Sequence, residues 1–125
     1  MIPRRLVNKL VRGSRILRDQ LEHAGMHGLA HPEATARAIY LADQVDDHAN
    51  QVDFQLSLGF VEDAALEAEG GDHTLKLLRR ALAEARMPPH ITTQAEVLAR
   101  GFHELLNEHL VPELGLYEDY DDEDI

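Results

Sequence analysis

Residues 32–58, PEATARAIYLADQVDDHANQVDFQLSL, form the longest stretch of the chain with sustained helical periodicity and no internal glycine. Ala34, Ala38, Leu41, Ala42, Val45, Ala49, Val52 and Leu56 recur at three- and four-residue steps, which sets them in one stripe along a helix. The stripe is rich in alanine, so neighbouring helices can approach closely, and the stretch reads as the spine of a helical bundle. Tyr40, Phe54 and Leu58 share the far side, with Asp47 and Gln51 between them. Two apolar sides on one helix imply two covers, the second from the chain's own C-terminal segment or from another subunit. Asp43, Asp46, Asp47 and Asp53 line the remaining flank, which reads as solvated and acidic.

The rest of the composition agrees with a globular chain. Its 125 residues suit one domain, and 44% hydrophobic content argues against wholesale disorder. The absence of cysteine excludes disulfides, thiolate ligands and a cysteine nucleophile. No apolar run approaches the ~18 residues of a membrane span, and the N-terminus lacks the unbroken apolar core of a signal peptide. A soluble, cytoplasmic protein that does not engage membranes is the expectation. The net charge of −11 is unevenly spread: residues 1–18 carry six cations and no acid, residues 113–125 seven acids and no base.

Upstream of the spine, Pro3 suits the first turn of a helix that runs to Ala24 and is capped by Gly25. Leu6, Leu10, Leu17 and Leu21 make its apolar stripe, and Gly13 with Ser14 leaves a notch for another backbone. Arg5, Lys9, Arg12, Arg15 and Arg18 fan over the opposite half, an electrostatic footprint for nucleic acid or an acidic partner.

Downstream, Gly59 is expected to break the helix, and FVEDAALEAE to form a short element stopped by Gly70-Gly71. Asp72 then reads as the N-cap of a helix from His73 to about Arg86. MPPH (87–90) reads as a rigid linker. Thr93-Gln94-Ala95-Glu96 has the pattern of a capping box opening a last helix that Pro112 ends. No β-alternation and no hairpin turn sequence is present.

Eight histidines raise the question of metal. His23, His27 and His31 are spaced by four, the separation that puts ligands on one helical face, and would suit Zn or another divalent metal. Gly25, Gly28 and Pro32 interrupt that face. His109 falls in the apolar stripe of the last helix with Phe102, Leu105 and Leu106, and His48 at the edge of the spine's stripe. Both read as packed histidines with hydrogen-bond partners, since Glu104 and Glu108 fall on the outer side and no inward carboxylates accompany them.

Arg18-Asp19-Gln20-Leu21-Glu22-His23 resembles the Arg-x4-His motif of the HEPN-type helical ribonucleases over six residues. The resemblance would imply that Arg18 and His23 handle a 2′-hydroxyl and the leaving group. In that family the motif lies near the end of the domain, whereas here it lies in the first helix. With no phosphate loop, no nucleophile elbow and only two serines, nothing else in the chain favours an enzyme.

The acidic C-terminal stretch is the most distinctive functional candidate. Tyr117, Tyr120 and Ile125 are interleaved with Glu118, Asp119, Asp121, Asp122, Glu123 and Asp124. Aromatic anchors among acids suit a basic groove with apolar pockets, on a partner or on the basic first helix. The sequence therefore predicts an all-α, single-domain antiparallel bundle of four to five helices over residues 1–112, followed by an acidic tail at 113–125. It further predicts a non-enzymatic interaction or assembly subunit. Tyr40, Phe54, Leu58, Tyr117, Tyr120, Asp121, Asp122 and Ile125 would face a protein partner or a second copy. Metal binding by the histidine trio and nucleic-acid binding by the first helix are the alternatives.

Overall fold

The computed structural model of the chain describes residues 2–26 and 31–115. It is an all-α bundle: α1 (Arg4–Met26), α2 (Pro32–Ser57), α3 (Val61–Ala85) and α4 (Pro89–Glu104). A π turn (Leu105–Leu110) extends α4, and helix continues through residues 111–115. No strand occurs among the described residues. Each helix packs on its neighbours in sequence, and α4 returns to α1, which closes the ring in up-down-up-down order. No described helix is long and apolar enough to cross a membrane.

The spine behaves as its periodicity requires. Ala34, Ala38, Leu41, Ala42, Val45, Ala49 and Val52 are all buried, and the alanine side gives α2 and α3 the most extensive pairing in the bundle. On α3, Ala64, Ala65 and Ala68 are likewise small and buried. Leucines from the other helices fill the centre, with Leu17, Leu21, Leu75, Leu78, Leu82 and Phe102 fully buried. Burying each of these side chains is worth roughly 1.5–3 kcal/mol.

The notch on α1 is real and has a counterpart. A Cβ on Gly13 would stand 2.9 Å from Leu98 Cδ2 of α4, and one on Gly101 would stand 2.6 Å from Leu10 Cδ2 of α1. Each helix thus offers a glycine to the other's leucine. Gln94 Nε2 adds a donated hydrogen bond to the Gly13 carbonyl at 3.2 Å.

Four local expectations are corrected. First, Gly70-Gly71 does not stop a helix; α3 runs straight through it. The ring of Phe102 lies against Gly71 and the imidazole of His48 against Gly70, so these glycines clear space for side chains of other helices. Asp72 is accordingly not an N-cap but an interior residue, paired with Lys76 one turn on.

Second, the helix expected to open at Thr93 opens at Pro89, with Pro88 in the N-cap position and Pro89 in the first turn. Proline at N1 is preset for helix, and it takes precedence over the capping-box pattern. Third, α1 passes Gly25 to end at Met26. Fourth, Pro112 does not end the last helix, because the π turn lies immediately before it. A proline ring clashes with the carbonyl four residues back, and the wider turn relieves that clash.

The break at Gly59 occurs as expected. Gly59 has φ of 81°, with Phe60 N–H donating to the Gln55 carbonyl at 2.8 Å and Gly59 N–H to the Leu56 carbonyl at 3.1 Å. This pair of bonds is a Schellman motif. The same motif ends α3, where the left-handed position is held by Arg86, at φ of 53°.

Candidate interaction surfaces

Helix geometry carries Tyr40, Phe54 and Leu58 to the outside of α2, and all three are exposed. Tyr40 lies well up the helix, its hydroxyl accepting a hydrogen bond from Gln44 Nε2 at 3.0 Å. Phe54 and Leu58 are one turn apart at the end of α2, and the connecting turn adds Phe60, which spacing along a helix does not reveal. Their exposures are 54%, 51% and 53%. Glu62 and Asp63, both exposed, follow in the first turn of α3. The result is an apolar cluster with acidic neighbours at one end of the bundle.

The flank of α2 is not uniformly solvated. Asp46 is buried, and Arg18 reaches across from α1 to bond its Oδ2 through Nη1 at 3.1 Å. Arg18 Nε also lies 3.9 Å from Asp43 Oδ1. Grouped by sequence with the basic patch, Arg18 is instead held between the two helices. The Arg-x4-His resemblance therefore places its arginine inside an ion-pair network. His23 is exposed in the last turn of α1 and His31 at the N-cap of α2, while His27 lies outside the described residues.

The cations that remain outward on α1 are Arg5, Lys9, Arg12 and Arg15, all exposed. Arg5, Asn8, Lys9 and Arg12 line one shallow shelf. Lys9 also stands at the edge of a cleft of about 220 Å³ between α1 and α4, lined by Leu6, Leu10, Leu98, Gly13, Gly101 and Arg100 among others. A larger open groove of about 930 Å³ between α3 and α4 carries mixed charge, with Lys76, Arg79 and Arg100 facing Asp72, Glu96, Glu104 and Glu108.

His48 and His109 do not meet. His48 Nδ1 lies 2.8 Å from Glu67 Oε2, which ties α2 to α3. His109 is displaced from the stripe where its spacing put it, and Leu110 is fully buried in its place. The cause is the π turn, whose extra residue advances the register by one position. It also brings His109 beside Glu104 and Glu108, so that one ligand atom from each of the three lies within 4.8 Å of the others. Sequence spacing for an α-helix separates the histidine from those glutamates by more than a quarter turn, and only the wide turn reveals the cluster. Tyr117, Tyr120, Asp121, Asp122 and Ile125 lie outside the described residues.

Comparison with models of known families, with curated proteins and with solved structures gives no match.

Proposed function

We propose that this chain is a non-enzymatic interaction subunit that binds a basic and partly apolar protein surface through the α2–α3 turn. One observation carries the reading: Phe54, Leu58 and Phe60 are each more than half exposed within seven residues. Leaving about half of each in water forgoes on the order of 1 kcal/mol of burial apiece. Clustered exposure of this kind marks surfaces that are covered in a complex. Glu62 and Asp63 beside the cluster, and a net charge of −11, set the sign of the partner. An isologous dimer through the same patch would place those acids against their own copies, so a different, basic chain is the better fit.

The test is affinity capture by the untagged full-length chain coupled through its N-terminus, alongside the triple variant Phe54→Ser, Leu58→Ser, Phe60→Ser. Wild-type protein should retain a basic partner that the variant loses, with retention falling as salt rises. Equal retention by both proteins would overturn the reading, as would a wild type that captures nothing. Circular dichroism of the variant guards against misfolding, since the three residues lie outside the core.

A further inference from the structure

We propose that the cleft between α1 and α4 is a docking site for an acidic, tyrosine-bearing peptide, and that its occupant is this chain's own segment 116–125. The inference uses α1 and α4 rather than the α2–α3 turn, and it stands or falls independently of the partner proposed above.

The cleft fits such a peptide in size and chemistry. Its lining includes the apolar side chains of Leu6, Leu10, Val97 and Leu98, two cations, Lys9 and Arg100, and one acid, Glu104. At about 220 Å³ it is smaller than the roughly 300–1,000 Å³ typical of small-molecule sites, and is suited to one or two inserted side chains. Lys9 links it to the shelf formed with Arg5, Asn8 and Arg12. None of Arg5, Lys9 and Arg12 forms an ion pair among the described residues, although their neighbours Arg4 and Arg18 pair with Asp53 and Asp46. An apolar slot beside three uncompensated cations calls for an aromatic anchor flanked by acids.

Segment 116–125, LYEDYDDEDI, has that composition, with Tyr117 and Tyr120 among six acids and no base. It lies outside the described residues, but its point of departure is fixed at Gly115. Because Gly13 meets Leu98 and Gly101 meets Leu10, α1 and α4 run antiparallel. Fourteen residues of helix carry the chain about 21 Å from Gly101 to Gly115. The near end of the cleft, at Leu6 and Glu104, is about 16 Å back from Gly115. The five extended residues to Tyr120 span about 17 Å, so Tyr120 is the anchor that reaches it, and the acids after it run on toward Lys9. Attachment to the same chain also holds the segment at an effective concentration in the millimolar range. The α3–α4 groove is less suited, because four acids, Asp72, Glu96, Glu104 and Glu108, face its three cations, whereas the α1–α4 cleft has Glu104 alone.

The chain has two lysines, Lys9 and Lys76, which makes zero-length carbodiimide cross-linking of the full-length protein decisive. Mass spectrometry of the monomer band should show Lys9 joined to a carboxylate within 118–124. That product should fall on the order of tenfold in 0.5 M salt, where the Debye length shrinks to a few ångströms. Tyr120→Ala should lower it several-fold without changing helicity, and Tyr117→Ala should lower it less. Lys76 should join only nearby acids such as Asp72. A Lys9–tail product confined to the dimer band would replace the proposal with docking between copies. Equal joining of the tail to Lys9 and Lys76, or no joining at all, would overturn it.

Discussion

The ring of Phe102 lies so close to the backbone of Gly71 that a Cβ on that glycine would stand 2.6 Å from Cε1. An alanine in mid-helix ordinarily stabilises relative to glycine by roughly 0.5–1 kcal/mol. Here the ring is fully buried and has no room to retreat. Gly71→Ala should therefore destabilise by about 1–3 kcal/mol, the usual range for overpacking. Thermal unfolding followed by circular dichroism measures this, and Phe102→Leu in the Gly71→Ala background should recover part of the loss. An unchanged or raised Tm for the single variant would refute the account.

Gly70 offers the same experiment with a sign change. Its obstacle is the His48 imidazole, 2.7 Å from the position of a Cβ and held by Glu67. Gly70→Ala should lower stability by about 1 kcal/mol in the wild-type background. In a His48→Ala background the obstruction is gone, and the same change should stabilise through helix propensity alone. A double-mutant cycle by urea denaturation reads the coupling, expected at about 0.5 kcal/mol or more.

The two Schellman turns form a natural pair. Gly59 holds its left-handed position with nothing within 4 Å of where a methyl group would stand, so Gly59→Ala isolates the backbone strain, expected at about 1 kcal/mol. Arg86 occupies the equivalent place with a side chain that disfavours it. Arg86→Gly should raise stability by a similar amount. Chemical denaturation of both variants should move the midpoint in opposite directions.

The ion pairs should separate by burial. Arg18→Met removes the partner of a buried carboxylate and should cost about 1–3 kcal/mol, because Asp46 cannot recover solvent in place. Arg37→Met breaks a pair whose side chains are 62% and 61% exposed, and should change stability by less than about 1 kcal/mol. Combining Arg18→Met with Asp46→Leu should recover much of the first loss. Equal effects of the two single arginine changes would contradict this ranking.

The limits of α2 and its inward stripe are legible in the sequence because both depend on spacing within one helix. The outward placement of Tyr40, Phe54 and Leu58 follows from the same wheel. Phe60 is hidden because it lies in the turn, where no wheel applies. Gly70 and Gly71 look like a helix stop because their meaning rests with His48 and Phe102, more than twenty residues away in either direction. Thr93, the first residue of the apparent capping box, is outranked by Pro89 and lies exposed inside α4 instead of capping it. Arg18 looks like one cation among six because its carboxylate partner lies 28 residues on. The cleft beside Lys9 is half visible, as the notch at Gly13, but its other half is Gly101 on α4.

The wide turn at Leu105–Leu110 has a consequence for how this helix tolerates change in length. Six residues there fill the angular space that five would fill in regular helix, so the turn behaves as an insertion already absorbed. Beyond it, Leu110 and Leu114 still reach the core. Removing one residue, such as Asn107, would convert the turn to ordinary helix and keep both leucines in phase with Phe102 and Leu105, the cost falling on Pro112, whose ring would meet the carbonyl four residues back. A one-residue deletion before Phe102 would instead rotate the helix by about 100° and throw its leucines outward. The chain thus carries, in a single spot, a spare residue that its core does not count.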